Sequence, residues 1–152
     1  MLDPHYDEEP AKFKALDWLL EELIGRDGKK VVIWSYFRAS LDDIVARYER
    51  FGVVRIDGTV NRIEERLRAV EMFQREPRTR VFIGNAAAAG AGITLTAAHH
   101  AIYESFSNQA AHYMQSVDRI HRRGQFEQVV SHILIATDTI EEYEYNRLVL
   151  KE

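Results

Sequence analysis

Short apolar runs rich in β-branched residues recur along the chain, and polar or small residues separate them. Each run is long enough to form a buried strand. The stretches between the runs carry helical patterns, so strands and helices are expected to alternate. We predict five strands, in the segments VVIWSYF (31–37), VVRI (53–56), RVFIG (80–84), HAIYES (100–105) and VVSHILIA (129–136).

The predicted helices begin at residues that commonly cap a helix N-terminus. These caps are Ser40, Asn61, Asn108 and Thr139. A further helix over AKFKALDWLLEELIG precedes the first strand and is expected to end at Gly25. The alternation predicts βαβ units with right-handed crossovers. The fold class is therefore α/β with three layers, in which helices cover both faces of a mostly parallel sheet of five or more strands.

The composition is that of one soluble domain, which we expect to span residues 1–152 and to be monomeric. The chain is 46% hydrophobic, which is enough for one sizeable core. No apolar run approaches the roughly 18 residues of a membrane span, and MLDPHYDEEP lacks the features of a secretory signal. We expect an intracellular protein with no membrane partner.

The absence of cysteine and the net charge narrow the chemistry further. Without cysteine there are no disulfides or thiolate ligands, and no metal site is predicted. The formal net charge of −4 argues against a polybasic nucleic-acid module. One basic surface can still coexist with acidic segments such as DEEP and TIEEYEYN.

The segment QSVDRIHRRGQ (115–125) carries the first candidate chemistry. At helical spacing, Gln115, Arg119 and Arg122 fall within one strip, which offers two guanidinium groups to a ligand. The apolar residues gather on the opposite side, and they are Ala110, Met114, Val117 and Ile120. The alternative is an ordinary solvated helix face on which Asp118 and Arg122 form a surface ion pair.

The segment GNAAAAGAGITLTAA follows the third strand and is crowded with small residues. Such residues allow a ligand phosphate to approach bare backbone N–H groups. The alternative is a tight turn that leads into an alanine-rich packed helix. The order of this loop, a strand and the arginine-bearing helix favours the ligand-binding interpretation.

These segments together resemble the C-terminal RecA-like lobe of the Swi/Snf-type ATPases, the double-stranded-DNA translocases of helicase superfamily two. QSVDRIHRRGQ resembles their motif VI, AGAGITLTAA their motif V and VVIWSYF their motif IV. RIDGTVNRIEERLRAVEMF resembles their Asp-Gly-Ser/Thr segment. The resemblance extends over nearly the whole chain and implies an N-terminal ATP-binding lobe that this chain lacks.

The resemblance implies roles for the motif VI residues. Arg119 and Arg122 resemble arginine fingers that stabilise the charge developing on the phosphoryl group of ATP. Gln115 resembles the residue that orients the γ-phosphate or the attacking water. By helical spacing His121 falls toward the apolar side of the helix, and it is therefore interpreted as a supporting residue rather than a base. Nucleotide contacts are implied at Gly90, Gly92 and Gln125.

The resemblance also implies a track for double-stranded DNA, held by phosphate contacts that do not read the bases. The candidates for this track are Ser35, Gly58, Thr59, Asn85, Ala86 and Ala87. For Ser35 and Thr59, a hydroxyl that caps a turn remains an equal alternative.

The chain departs from the family pattern in motif V and in what it lacks. Residues 86–90 read AAAAG where the family has Thr-Arg/Lys-Ala-Gly-Gly, so the grip on DNA is expected to be weak. Thr94, His99 and a missing Trp-Asn-Pro signature indicate a divergent branch, bacterial or viral, which places the protein in the cytoplasm or nucleoid, or in host cytoplasm.

No P-loop and no Asp-Glu-x-His box is present, so the Mg²⁺ ligands for ATP are expected on the N-terminal lobe. This chain alone is then expected to be inactive. The function that follows is the C-terminal lobe of an ATP-dependent DNA translocase or remodeller. The alternatives are a non-catalytic interaction domain with the same fold and a lobe of a strand-separating DNA or RNA helicase.

Overall fold

A computed structural model describes residues 11–58, 62–85, 93–105, 110–135, 143 and 145–146. Four helices and five strands lie within these ranges, and the third strand is followed by the fourth with no described helix between them. A wider π-helical turn, Glu21–Arg26, extends the first helix, and a 3₁₀ turn, Glu49–Phe51, follows the second. In chain order the elements are α1 (Ala11–Leu20), β1 (Val31–Trp34), α2 (Arg38–Tyr48), β2 (Val53–Ile56), α3 (Ile63–Arg75), β3 (Val81–Gly84), β4 (His100–Tyr103), α4 (Ala110–Ile120) and β5 (Val130–Ile133).

The five strands form one parallel sheet in the order β2-β3-β1-β4-β5. Each lies within the segment predicted for it, so all five strand predictions are confirmed. The last residues of the strands are in register, since Trp34 pairs with both Gly84 and Tyr103. The residues that follow the strands therefore meet along one edge of the sheet, which we call the carboxyl edge.

Helices cover both faces of the sheet, as the alternation predicts. Along β1, Val32 and Trp34 point into one hydrophobic cluster and Val31 and Ile33 into the other. The first cluster receives Phe73 of α3 and Ile120 of α4. The second receives α1 and α2 through the buried residues Leu16, Leu20, Leu41, Ile44 and Tyr48. The three-layer α/β architecture is thereby confirmed.

One predicted helix start is wrong. α2 begins at Arg38, and the Leu41 N–H donates to the Phe37 carbonyl at 3.1 Å, so Ser40 lies inside the helix and does not cap it. Packing of the apolar face of α2 against the sheet decides its start more strongly than the local capping signal. The other three predicted caps, Asn61, Asn108 and Thr139, lie outside the described residues.

The helices that the structure describes include none with both the length and the apolar character needed to cross a bilayer.

Candidate functional site

Buried polar side chains collect at the carboxyl edge. Ser35 follows β1 and is 1% exposed, Asp57 follows β2 and is 3% exposed, and Glu104 follows β4 and is 7% exposed. Ser105, also buried, comes next in the chain. Burial of groups that water would otherwise solvate requires partners inside the protein. The hydrogen-bond partners of these side chains therefore determine which polar groups of the edge are available to a ligand.

Ser35, Glu104 and Ser105 form a hydrogen-bonded cluster. The Ser35 hydroxyl donates to Glu104 Oε2 at 2.7 Å, and its oxygen lies 3.1 Å from Ser105 Oγ. The Tyr36 N–H donates to Ser105 Oγ at 2.9 Å. The hydroxyl predicted to contact DNA is therefore turned inward, onto a carboxylate. Its DNA contact remains a prediction that would require this bond to open.

Sequence reasoning missed Glu104. The signal was a carboxylate directly after an apolar strand, next to a serine, in the segment YES. An acidic side chain at that place needs a donor when it is buried, and the neighbouring strand provides one. That β1 and β4 are neighbours was the missing information.

The Asp57-Gly58 segment is anchored by Arg55. Arg55 Nε donates to Asp57 Oδ2 at 2.6 Å, and Arg55 Nη1 donates to Asp42 Oδ1 at 2.5 Å. Burial disfavours the charged guanidinium, but the two carboxylates outweigh it and raise the pKa of Arg55. Gly58 is exposed, and a Cβ built on it would have no neighbour within 4 Å. Its backbone is therefore open to solvent.

Asn85 follows β3 at the same edge and donates from Nδ2 to the Tyr36 carbonyl at 3.0 Å. Five other predicted contact residues lie outside the described residues, and they are Thr59, Ala86, Ala87, Gly90 and Gly92.

Residues 93–99 lead into β4 without regular secondary structure, and we call them the 93–99 segment. Ile93, Leu95 and Ala98 are buried in the cluster that also receives α3 and α4. The Ala98 N–H donates to the Leu95 carbonyl at 3.1 Å and closes a turn. The segment is therefore part of the core, although its backbone lacks the bonds of a helix or a strand.

Residues 119–125 form the arginine turn, which is not the continuous helical strip that the sequence predicts. α4 ends at Ile120, and Gly124 at φ 100° helps to reverse the chain, a conformation that glycine adopts readily. Arg122 therefore lies beyond the helix. Its Nη1 donates to the Ile93 carbonyl at 2.7 Å and to Thr94 Oγ1 at 3.2 Å. Among the described residues Asp118 and Arg122 form no ion pair, which removes the main support for the surface-pair alternative.

Arg119 sits in the last turn of α4 and differs from Arg122. Its carbonyl accepts the Leu95 N–H at 2.9 Å, which ties its backbone to the 93–99 segment. Its guanidinium has no hydrogen bond or ion pair with any side chain in the ranges that the structure describes. Gln115, on the same helix, and His121, just beyond it, are both exposed. The predicted position of His121 on the apolar side of the helix is therefore wrong, and its role as a supporting residue rather than a base stays a prediction.

Gln125 uses both ends of its amide within the protein. Nε2 donates to the carbonyls of Thr96, Ala98 and Ile120 at 3.1, 2.9 and 3.3 Å. Oε1 lies 3.1 Å from His99 Nδ1 and accepts the Glu127 N–H at 3.3 Å. The side chain holds the arginine turn to the 93–99 segment, so its nucleotide contact remains a prediction.

His100 of β4 and His132 of β5 form a contacting pair. His100 Nδ1 lies 3.0 Å from His132 Nε2, and the two rings stack. Burial, then the neighbouring histidines and Lys29, lower the pKa of His100. Burial also lowers the pKa of His132. Both rings therefore favour the neutral form.

The described residues offer a donor suited to the phosphate oxygens of ATP. The guanidinium of Arg119 has no partner among the described residues and its backbone is bonded to Leu95, and such a group matches phosphate oxygens in charge and shape. The same described residues contain no group of three or more acidic or histidine side chains that could hold a metal ion.

Comparison with known proteins gives consistent matches. The helicase conserved C-terminal domain family matches residues 11–124. The DNA excision repair protein ERCC-6-like of Danio rerio is 35% identical over 147 residues, which are 95% of this chain and 10% of that protein. The DNA annealing helicase and endonuclease ZRANB3 of Homo sapiens is 33% identical over 135 residues, which are 86% of this chain and 12% of that protein.

A solved structure described as the C-terminal part of the Fun30 ATPase domain has the same fold. It superposes with a TM-score of 0.84 at 32% identity, covering 93% of this chain and 47% of that one. The RecA-like fold class is thereby confirmed. The chain spans only 10% and 12% of the length of the two relatives above.

Proposed function

The chain belongs to the helicase conserved C-terminal domain family, with homologues among the Swi/Snf-type ATPases, and on that basis we propose that it is the C-terminal lobe of an ATP-dependent double-stranded-DNA translocase or remodeller. The observation that carries this proposal is the guanidinium of Arg119, which has no partner among the described residues and stands on a backbone bonded to Leu95. A cation that the described part of the chain leaves unpaired, on a backbone held by a hydrogen bond, suits charge that develops only during a reaction.

ATP with Mg²⁺, bound between this lobe and an N-terminal lobe, would supply the phosphoryl group that is transferred to water. Arg119 would donate to its oxygens as they gain charge, and Arg122 would donate after leaving part of its contact with the 93–99 segment. Gln115, exposed on the same helix, would orient the γ-phosphate or the water. Gly90 and Gly92 would allow the backbone to approach the nucleotide, and Gln125 would support the turn.

Double-stranded DNA would lie across the carboxyl edge. The exposed backbone at Gly58 and the polar group of Asn85 support this placement, with Thr59, Ala86 and Ala87 as further contacts and Ser35 as a contact only once its bond to Glu104 opens. The net charge and the missing motif V cation make this grip weak, near the weak end of nonspecific affinities at about 0.1 mM. Work on DNA places the protein inside the cell.

The test compares ATP turnover by this chain alone, by the N-terminal lobe alone and by the two together, with and without duplex DNA. We expect no turnover above background from this chain alone, and turnover that duplex DNA stimulates when both lobes are present. Turnover by the isolated chain that Arg119→Ala abolishes would contradict the proposal. Absence of any ATP response in the assembled lobes would favour an interaction domain, and stimulation by single strands alone would favour a strand-separating helicase.

A further inference from the structure

The 93–99 segment has a second anchor in α3, formed by Gln74. Gln74 Oε1 accepts the Ala97 N–H at 2.8 Å, and Gln74 Nε2 donates to Thr96 Oγ1 at 3.0 Å. Both ends of one amide are therefore bound to adjacent residues of a single turn. A half-buried side chain with two directed bonds fixes the position of that turn relative to α3.

The turn that Gln74 holds is also bound from the arginine turn. Thr96 is contacted on its hydroxyl by Gln74 and on its carbonyl by Gln125. Next to it in the chain, the Leu95 N–H donates to the Arg119 carbonyl. The segment belongs to no helix or strand, so these bonds and the burial of Ile93, Leu95 and Ala98 together determine where its backbone lies. Gln74 is therefore connected to the backbone of Arg119 through Thr96 and Leu95.

α3 connects the two regions of the proposed site. It begins at Ile63, shortly after Gly58 at the carboxyl edge, and it ends at Arg75, the residue after Gln74. Phe73, buried in the core, fixes this end of the helix against the sheet. A single helix thus runs from the proposed DNA track to the segment that supports Arg119.

We propose that Gln74 is a positioning residue that couples DNA at the carboxyl edge to the placement of Arg119. This inference rests on the proposed function. Gln74 touches neither nucleotide nor DNA, and it acts only through Thr96 and Ala97. Its loss should therefore lower the ratio of DNA-stimulated to DNA-free ATP turnover, and it should lower kcat rather than raise KM for ATP.

The test uses the assembled two-lobe ATPase. Gln74→Leu removes both bonds at similar volume, and we expect the stimulation ratio to fall roughly tenfold or more, because small misplacements of a catalytic group are costly. Gln74→Glu should restore most of the ratio, since its carboxylate accepts both the Ala97 N–H and the Thr96 hydroxyl proton. Gln128→Leu is the matched control, because Gln128 is exposed and has no hydrogen bond with the described residues.

Amide hydrogen exchange on this chain alone gives a readout that is independent of ATP. The Ala97 amide should exchange faster in Gln74→Leu than in the wild type and in Gln74→Glu. If Gln74→Leu does not fold, the Thr96→Val variant is measured in its place. Thr96→Val removes the hydroxyl that accepts from Gln74 Nε2 and leaves the bond of Gln74 to the Ala97 N–H, so the loss of stimulation should be smaller.

The outcomes separate the two proposals. The positioning role would be overturned if Gln74→Leu kept the wild-type ratio of DNA-stimulated to DNA-free turnover, or if Gln74→Leu and Gln74→Glu lowered that ratio equally. In either case Arg119→Ala would still abolish turnover, and the proposed function would stand. Wild-type turnover in Arg119→Ala would overturn the proposed function and this inference with it.

Discussion

The carboxyl edge of the sheet and the arginine turn use their polar side chains in opposite ways. At the edge, Ser35 and Asp57 are buried and bound to internal partners, Glu104 and Arg55. At the arginine turn, internal bonds hold the backbone, and the guanidinium of Arg119 remains unpaired among the described residues. The buried side chains of the edge therefore stabilise the fold, whereas no described residue binds the guanidinium of Arg119.

The difference indicates how each region would meet its ligand. A catalytic donor is most effective when it is already in place before charge develops. A DNA track needs only repeated contacts to phosphates, which backbone N–H groups provide without any base specificity. The arginine turn is therefore the region where a single side chain should matter most. Changes to side chains at the edge should have little effect on the affinity for DNA, but they should lower the free energy of unfolding.

The largest effect is expected for Arg119→Ala in the assembled two-lobe ATPase. DNA-stimulated turnover should fall roughly a thousandfold or more, because the lost donor acts on charge present only in the transition state. The melting temperature should stay unchanged, since no described side chain depends on this guanidinium. Steady-state ATPase assays and thermal melts on the same preparations provide the measurement. Normal turnover in a normally folded variant would remove the distinction between the two regions.

Arg122→Ala should give a smaller loss of turnover together with a loss of stability. Its Nη1 bonds to Ile93 and Thr94 hold the 93–99 segment, so removal should lower the free energy of unfolding by about 1 kcal/mol. Arg122→Lys should recover part of this stability, since one ammonium can still reach a carbonyl, but little of the turnover, because it lacks the planar fork. Urea unfolding of this chain and ATPase assays of the assembled lobes test the two parts separately. Equal melting of Arg119→Ala and Arg122→Ala would contradict the different roles.

The fold could be predicted from the sequence because its signals are local. The strands at 53–56 and 81–84 are short, mainly apolar runs that each follow a helix, and no other periodicity competes with them. The helix start at Ser40 was mispredicted because packing of Leu41 and Ile44 against the sheet overrides a capping preference of about 1 kcal/mol.

The site could be predicted only in part. Helical spacing placed Arg122 on the same strip as Arg119, but Gly124 reverses the chain and the Ile93 carbonyl draws Arg122 out of the helix. The bonds of Gln74 and Gln125 join segments more than twenty residues apart in sequence. Composition and periodicity carry no information about such pairs, so these two glutamines could not be assigned a structural role in advance.

Ser35→Ala distinguishes the two interpretations of this hydroxyl. Because it donates to the buried Glu104, its loss should lower the free energy of unfolding by about 1–2 kcal/mol. The affinity of this chain for duplex DNA should change by less than about twofold at low salt, since backbone contacts would remain. Denaturant unfolding and a DNA titration provide the measurements. Unchanged stability with a large loss of affinity would show that the hydroxyl turns outward to a phosphate.

The smallest effect is expected from pH at the pair formed by His100 and His132. The pKa values of His100 and His132 lie below that of an unfolded histidine, near 6.5, so the unfolded chain binds more protons as pH falls. The stabilisation from the neutral pair should be complete above that value and should be lost as pH falls through the lowered pKa values. Urea unfolding at about pH 7.5 and about pH 5.5 measures this loss as a difference in the free energy of unfolding. The difference should be smaller in His132→Gln, because this variant removes one titrating ring. His121→Gln, at an exposed histidine whose side chain has no hydrogen bond with the described residues, is the matched control for the loss of an imidazole outside the pair. If the pH dependence of stability is the same in His132→Gln as in His121→Gln, the pair does not stabilise this side of the sheet.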